Sequence, residues 1–565
     1  MASSLKIRVF DRLSQRPQFS TTSLALIGSL FFSIACNSRF WAIMSAQPAS
    51  SAGDRAVLLV AVFLMITALQ FILLSVLVNR WTAKPVMIVL ILMTAATTYF
   101  MQKYGVFMDS AMIRNILQTD LNEARDLLAW DMLPHMAIYA VIPLLFVWRL
   151  EVSKPPLSRS LHQRPVALAV ALIITAGSLF AVSRQFVPLI REHKEIRYLV
   201  TPGNDLYALT KVAASRSKEI AAEKIAIGMD ATVAHTRAVH NKPTLLIIVL
   251  GETARAANWG LNGYSRQTTP ELARTSTINF RHVTSCGTNT ETSVPCLFSP
   301  FGKRHYDEAA IHESESLLNV IQHAGIRVSW RDNQSGCKGV CAGVVAQGAP
   351  FIRNDPLCKG NTSMDEALLS GLAGEVERST GDQVIVLHQM GNHGPAYFER
   401  YPPAFRRFTP TCDSSDLGQC SREQIVNTYD NALLYTDHVL AATIAFLQSE
   451  SATHDTAMIY LSDHGESLGE NGVYLHSMPY AIAPDEQTHV PMDMWFSEGF
   501  ARSHALDVPC LTFRATQPAS QDNLFHSVLG LLNIRTKVYD PLLDVAGNCR
   551  PALVHSQPVP VKAGA

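Results

Sequence analysis

Apolar residues follow two rhythms along this chain. Up to about residue 190 they come in long unbroken runs, and beyond residue 240 they come in short runs separated by stretches of helical period. Five of the long runs have the length or apolarity to cross a bilayer: 23–43, 56–78, 85–101, 133–150 and 165–182. A span needs about 20 residues, so the third and fourth are short and their ends are the least defined. Arg39 falls near the outer end of the first run, where a long side chain can snorkel to the interface. The SAQPA stretch is a weak cleavage signal, but the run before it is too long for a signal peptide and four more runs follow.

Basic residues orient the spans. Lys6, Arg8, Arg12 and Arg16 precede the first, and Arg149, Lys154, Arg159 and Arg164 join the fourth to the fifth, so both stretches are expected in the cytoplasm. An odd number of crossings then puts everything after about Arg184 on the opposite side. Cysteine usage points the same way. Nine of the ten cysteines, all but Cys36, lie beyond residue 280, several at close spacing: Cys286 with Cys296, Cys337 with Cys341, Cys412 with Cys420. Disulfides of an oxidising compartment explain these spacings better than zinc-finger ligation, which wants C-x2-C pairs.

The connection 102–132 is the longest between spans and should lie on the extracytoplasmic side. Met112, Ile113, Ile116, Leu117, Leu121, Ala124 and Leu127 recur there at helical spacing, which predicts an amphipathic helix at the membrane interface. Residues 185–240 carry mixed charge and helical period, as a bridging linker would. From Pro243 the runs TLLIIVLG (244–251), IRVSW (326–330), QVIVLH (383–388) and TAMIYLSDHG (456–465) are apolar without alternation. Strands buried on both faces read this way, so the pattern predicts a largely parallel sheet covered by helices. The expected architecture is a membrane domain of five helices over 1–184, a linker over 185–240 and an α/β domain over 241–565.

Composition changes the picture only by exclusion. Lys plus Arg and Asp plus Glu are balanced at 47 each, so no global field argues for nucleic acid. The chemistry must be local, and ligands in parallel α/β sheets collect at the carboxyl ends of the strands. Those ends carry Glu252, Lys338 after a short loop, His388 and His393, then Asp463 and His464, with His476 twelve residues further on. Carboxylates and imidazoles converging from four strands are a donor set for catalytic Zn2+. The loop CGTNTETSVPC (286–296) adds Thr288, Thr290, Thr292 and Ser293. One of these hydroxyls beside a metal would become a nucleophile, while any of them would also cap a helix. Spacing does not choose among the four.

The strings VLGET (249–253), SCGTNTETSVPC (285–296), DNQSGCKGVC (332–341), HQMGNHGPAYF (388–398), FTPTC (408–412), YDNALLYTD (429–437) and SDHGESLGENGVYLH (462–476) are long, rare and in order. Through them the chain resembles the membrane-bound phosphoethanolamine transferases that modify lipid A. These include the mobile colistin resistance enzymes and belong to the alkaline phosphatase/sulfatase superfamily. The resemblance implies Thr290 as nucleophile and Glu252, Asp463 and His464 as its partners around one zinc, with a second zinc left open for the substrate-bound state. It implies that His393, His476 and Lys338 meet the substrate phosphate, and that Asn115, Thr119, Glu123 and Ser335 receive the ethanolamine head group. Asn115, Thr119 and Glu123 also share one helix face by their spacing. Two departures stand out: Ser363 occupies a place usually held by the cysteine partner of Cys358, and Gln334 a place that is often Asn. Cys510 and Cys549 are a candidate fourth bridge.

The resemblance further implies a multi-pass inner-membrane protein with a periplasmic catalytic domain, acting as a monomer. Its route would be ping-pong, from phosphatidylethanolamine through Thr290 to a lipid A phosphate, conferring polymyxin resistance. A core sugar, a glucan or a glycerol-phosphate acceptor is the alternative within the superfamily. A sulfatase would carry a C-x-P-S-R type string, which is absent, and a transporter would place ionisable residues within the spans, which contain almost none.

Overall fold

The computed structural model describes residues 16–46, 51–119, 121–153, 157–221, 224–234, 242–348, 356–359 and 362–550. The basic residues Lys6, Arg8, Arg12 and Lys154, and 47–49 of the weak cleavage signal, fall outside them. The chain divides into two compact units. The first comprises Met1–Ile113 and Ala129–Ala214, and the second Arg114–Leu128 and Ser215–Ala565.

Four helices of the first unit are long and apolar enough to cross a membrane: Ala52–Leu77, Ala83–Lys103, Met132–Arg149 and His162–Arg191. The first predicted run is broken instead into Thr21–Ala35 and Ser38–Ala46, bent by 57°, and makes a fifth span if the pair counts as one. The reason lies at the break. The Asn37 amide donates to the Phe32 carbonyl at 2.7 Å and the Thr201 carbonyl at 3.0 Å, and accepts from the Thr201 N–H at 2.9 Å. A side chain that replaces backbone partners in this way stops a helix and ties it to a distant segment. The Arg39 guanidinium donates to the Met101 carbonyl and lies 5.3 Å over the Phe107 ring.

In the second unit the four predicted strands are found, within three residues at their ends. Eight strands form one sheet: β1 (Thr244–Gly251), β2 (Ile278–Thr284), β3 (Arg327–Asp332), β4 (Val345–Gly348), β5 (Gln383–His388), β6 (Asp455–Ser462), β7 (His489–Phe496) and β8 (Ala519–Ser520), in the spatial order β8-β2-β7-β6-β1-β5-β3-β4. The stretch β6-β1-β5-β3-β4 is parallel and β7 runs antiparallel to both neighbours, β6 and β2. Every residue of β1, β5 and β6 is buried, as their unalternated sequences require. Parallel pairing brings the carboxyl ends of β1, β5 and β6 to one edge, with Leu250 opposite both His388 and Leu461.

The predicted interfacial helix is two shorter ones, Ser110–Gln118 and Leu121–Asp126. Its 114–128 portion belongs to the α/β unit and is tied there by ion pairs. Arg114 donates to Glu308 at 3.3 Å, and Arg400 donates to Asp126 at 2.6 Å. Four disulfides form: Cys286–Cys296, Cys337–Cys341, Cys412–Cys420 and Cys510–Cys549. Cys358 remains a thiol, with the Ser363 hydroxyl against its sulfur across a short hairpin. Closing the ten-residue loop that carries the four hydroxyls removes unfolded-state entropy worth about 3 kcal/mol. Replacing Cys286 and Cys296 together by serine should therefore lower the thermal midpoint of the purified protein by several degrees. An unchanged midpoint would mean the bridge constrains nothing.

Candidate active site

The site is assembled from strand ends. Glu252 follows β1 directly and Asp463 and His464 follow β6, so three side chains from adjacent strands meet with no exposed surface at all. His464 Nε2 lies 3.3 Å from Glu252 Oε1 and 3.2 Å from Asp463 Oδ2. All three groups offer an atom within 4.8 Å of one another. Asp463 Oδ2 is buried with no hydrogen-bond partner. A buried carboxylate oxygen with no hydrogen bond and only the His464 ring beside it is what a cation-binding position presents. The donor set of two carboxylates and one imidazole fits zinc.

Local sequence explains why Glu252 points inward. Thr253 has φ of +58°, in the left-handed region, which turns the chain sharply off the strand. Its N–H donates to Asp463 Oδ1 at 3.0 Å and its hydroxyl to Glu252 Oε1 at 2.6 Å, so the strained residue orients both carboxylates. Gly391, at φ +53°, has no room for a Cβ, which would sit 2.6 Å from the Glu252 carbonyl.

Geometry distinguishes the four hydroxyls of the 286–296 loop. Helix α1 (Thr290–Leu297) begins within this loop, and its cap is Asn289, which accepts from the Thr292 N–H at 2.9 Å. Thr290 is thereby released from capping. Its hydroxyl lies 3.2 and 3.1 Å from the two oxygens of Glu252 and 3.4 Å from His464 Nε2. Thr288 instead donates to the Met478 carbonyl at 2.6 Å. Neither Thr292 nor Ser293 has a recorded bond to this cluster, and the Ser293 hydroxyl is buried without a partner. The start of α1 also places its partial positive charge beside Thr290, where phosphoryl oxygens would gather.

Electrostatics around the cluster follow from burial and from the shared imidazole. Burial alone would raise the Glu252 carboxyl, but the hydrogen bond and charge of His464 and the charge of His393 hold it well below the usual range. Burial and then the Glu252 charge push Asp463 up to about 6. His464 loses affinity for its proton by burial, but Asp463 and Glu252 more than compensate and lift it to about 10. His393 is pushed down to about 3 by burial, so it stands as a neutral imidazole, and its Nδ1 is buried without a partner.

The remaining predicted residues divide. His393 and His476 lie together, ring centroids 5.4 Å apart, and His476 is 4.5 Å from the His464 ring. Lys338 sits after β3 with φ of +49° and donates to Ser335 Oγ at 2.7 Å. The Ser335 hydroxyl in turn donates to Gln334 Oε1 at 2.6 Å. Asn115 lies on helix Ser110–Gln118 and Thr119 just after it, where the Thr119 hydroxyl donates to the Asn115 carbonyl at 2.8 Å. Glu123 is on the next helix, and its side chain is outside the described residues. Two partners were missed by sequence reasoning. Glu466, fully buried, faces His476 Nδ1 at 2.9 Å and accepts from the Tyr397 hydroxyl at 2.6 Å, which fixes the ring. Asp332 faces His388 Nδ1 at 2.6 Å and, against the opposing effect of burial, raises that imidazole's affinity for a proton.

Comparisons with known proteins place the two units. Residues 244–534 match the Sulfatase family model, and residues 66–217 match the model described as Phosphoethanolamine transferase EptA/EptB. The chain is similar to phosphoethanolamine transferase EptA of Escherichia coli strain K12, 38% identical over 552 residues covering 96% of this chain and 99% of that protein. It is 41% identical over 426 residues to phosphatidylethanolamine transferase Mcr-1 of Escherichia coli, covering 74% of this chain and 79% of Mcr-1. Among solved structures, the integral membrane protein lipooligosaccharide phosphoethanolamine transferase A of Neisseria meningitidis superposes with a TM-score of 0.89 at 34% identity, covering 94% of this chain and 99% of that one.

Proposed function

Since the chain belongs to the EptA/EptB phosphoethanolamine transferases of the alkaline phosphatase superfamily, multi-pass inner-membrane enzymes with a periplasmic sulfatase-like domain, we propose that it moves phosphoethanolamine from phosphatidylethanolamine to a phosphate of lipid A through a covalent intermediate on Thr290. One observation carries the reading. Of four hydroxyls in one loop, Thr290 alone has recorded bonds to the Glu252/His464 cluster, between carboxylate oxygens at 3.1 and 3.2 Å and an imidazole at 3.4 Å.

Glu252, Asp463 and His464 would hold a zinc ion with Thr290 as its further ligand. Bound there, zinc supplies Lewis acidity, lowering the pKa of the threonine hydroxyl and neutralising charge on the phosphoryl oxygens. The rest is work for the protein's own side chains. Glu252 accepts the hydroxyl hydrogen bond and aims Oγ, which attacks the donor phosphorus. Diacylglycerol leaves as its phosphorus–oxygen bond breaks, and the proton given up by the Thr290 hydroxyl is passed to the leaving oxygen through an imidazole of the His393 and His476 pair. Lys338 neutralises an oxygen of the transferred group. Asn115, Thr119, Glu123 and Ser335 receive the ethanolamine end. An acceptor phosphate then displaces Thr290. The product carries an added ammonium on lipid A, which weakens attraction for cationic peptides such as polymyxin.

Purified zinc-loaded protein given phosphatidylethanolamine without acceptor should acquire one phosphoethanolamine mass on the tryptic peptide containing Thr290. Added lipid A should then discharge it and gain the same mass. An unmodified peptide alongside continued transfer would replace the covalent route by direct displacement.

A further inference from the structure

The chain after β6 makes the hairpin of Ser467–Leu468 with Tyr474–Leu475 and returns His476 to the cluster it left, its ring 4.5 Å from that of His464. The local sequence does not favour this path. Leu475 and Ser477, on either side of His476, both lie in the left-handed region, at φ of +62° and +73°, and neither is glycine. A bulky residue stays there only where its surroundings hold it. Gln487, fully buried just ahead of β7, is one of the holding groups. Its side-chain amide donates to Ser467 Oγ at 2.9 Å and to the Leu475 carbonyl at 3.1 Å, and accepts from the Met478 N–H at 3.1 Å. Its own carbonyl accepts from the Gly465 N–H at 3.0 Å. One residue thus binds the start of the hairpin and the backbone on both sides of His476. Thr288 supplies the opposite tie: its carbonyl accepts from the Ser477 N–H at 2.7 Å, and its hydroxyl donates to the Met478 carbonyl at 2.6 Å. Thr288 shares the disulfide-closed loop of Thr290, so His476 is held between β7 and the loop of the nucleophile. Glu466 sets how the ring is turned. Gln487 and Thr288 set where it stands.

We propose that Gln487 is a positioning residue for the proton transfer that releases diacylglycerol: its amide imposes the backbone that brings His476 to the Thr290 site. The proposal rests on the reading above and deepens it, because it selects His476 from the imidazole pair as the group that passes the proton. In that step Thr290 Oγ bonds to the donor phosphorus and the bond from phosphorus to the glycerol oxygen breaks. The proton of the Thr290 hydroxyl reaches the glycerol oxygen through His476. A glycerol alkoxide is a poor leaving group without that proton, so a displaced ring slows the cleavage. A p-nitrophenolate leaves as a stable anion and needs none. Misplacement of His476 is therefore visible as a difference between two donors, whereas a general loss of fold or of zinc lowers both rates alike.

Full-length zinc-loaded protein in detergent is given either phosphatidylethanolamine or p-nitrophenyl phosphoethanolamine, and the rate at which the Thr290 peptide gains mass is measured for each. Gln487→Glu keeps the size of the side chain and the bond from the Met478 N–H, but sets a carboxylate oxygen against the Leu475 carbonyl. It should load from phosphatidylethanolamine on the order of tenfold more slowly than wild type, and from the nitrophenyl donor within about twofold of it. Thr288→Val removes the hydroxyl that donates to Met478 at nearly constant shape. It should shift the ratio of the two rates in the same direction by less, and it carries the test if Gln487→Glu does not fold. His476→Asn is the reference and should shift the ratio most. The ratio does not depend on how much of a sample is folded. Equal losses with both donors in Gln487→Glu, beside a shifted ratio in His476→Asn, would leave Gln487 a role in stability alone. Wild-type rates with both donors in Gln487→Glu would leave it no role. Either result overturns the proposal. An unshifted ratio in His476→Asn would instead refute His476 as the proton carrier, a separate failure of the underlying reading that takes the proposal with it.

Discussion

Thr290→Ala should abolish both the phosphoethanolamine adduct and transfer to lipid A, a loss on the order of 10³-fold or more, while zinc remains bound. The reasoning is geometric. Glu252, Asp463 and His464 reach one another independently of Thr290, so three of the four metal contacts survive the change. Alanine is also a good residue for the first turn of α1, whose cap belongs to Asn289, so the helix should persist. Thr290→Ser keeps the oxygen but loses the methyl that limits its rotamers, and should retain activity within about tenfold of wild type. Intact-mass spectrometry after donor loading, with metal content by elemental analysis, checks all of this. An adduct on Thr288, Thr292 or Ser293 would preserve the covalent route but move the nucleophile. Full activity in Thr290→Ala would remove the covalent route altogether.

Much of this site was legible before any coordinates, for a physical reason. A parallel sheet forces its chemistry to the strand ends, so residues far apart in sequence, such as Glu252 and Asp463, can be read as neighbours once the strands are read. Runs such as TLLIIVLG and QVIVLH announce themselves because burial on both faces removes alternation. Strand β7, HVPMDMWF, was not singled out because Asp493 interrupts its apolar run, although that carboxylate is buried and accepts from Trp259 Nε1 at 3.0 Å. The break at Asn37 was hidden for another reason: its partner, Thr201, is 164 residues away. Local pattern contains no trace of such a bond. The same holds for Glu466, whose pairing with His476 depends on the small hairpin Ser467–Leu468 with Tyr474–Leu475 folding the loop back. A carboxylate two residues after a strand-end histidine is a usable signal only once that hairpin is known. Spacing alone did not separate Thr290 from its neighbours; the family resemblance pointed to it, and the Asn289 cap is visible only in the fold.

Glu252→Ala should lose zinc and activity together, in contrast to Thr290→Ala. The carboxylate is the hub of the cluster: it hydrogen-bonds Thr290 and His464 and is itself held by Thr253. Its removal leaves Asp463 and His464 as two protein ligands, too few for a stable tetrahedral site, and zinc affinity should fall by at least about a hundredfold. Binding to the folded state stabilises it by RT ln(1 + [L]/Kd), about 2.7 kcal/mol at a ligand concentration one hundred times Kd. Wild type and Thr290→Ala should therefore both show a zinc-dependent rise in thermal midpoint that a chelator reverses. At the same zinc concentration Glu252→Ala should show almost none. Its apoprotein should also differ, because His464 is kept protonated by Asp463 and Glu252 together and loses one of these partners. Thermal melts with and without zinc, run on the three proteins side by side, separate the roles. If Glu252→Ala keeps the zinc-dependent shift, the metal is held elsewhere and the cluster around Thr290 is a hydrogen-bonded network without it.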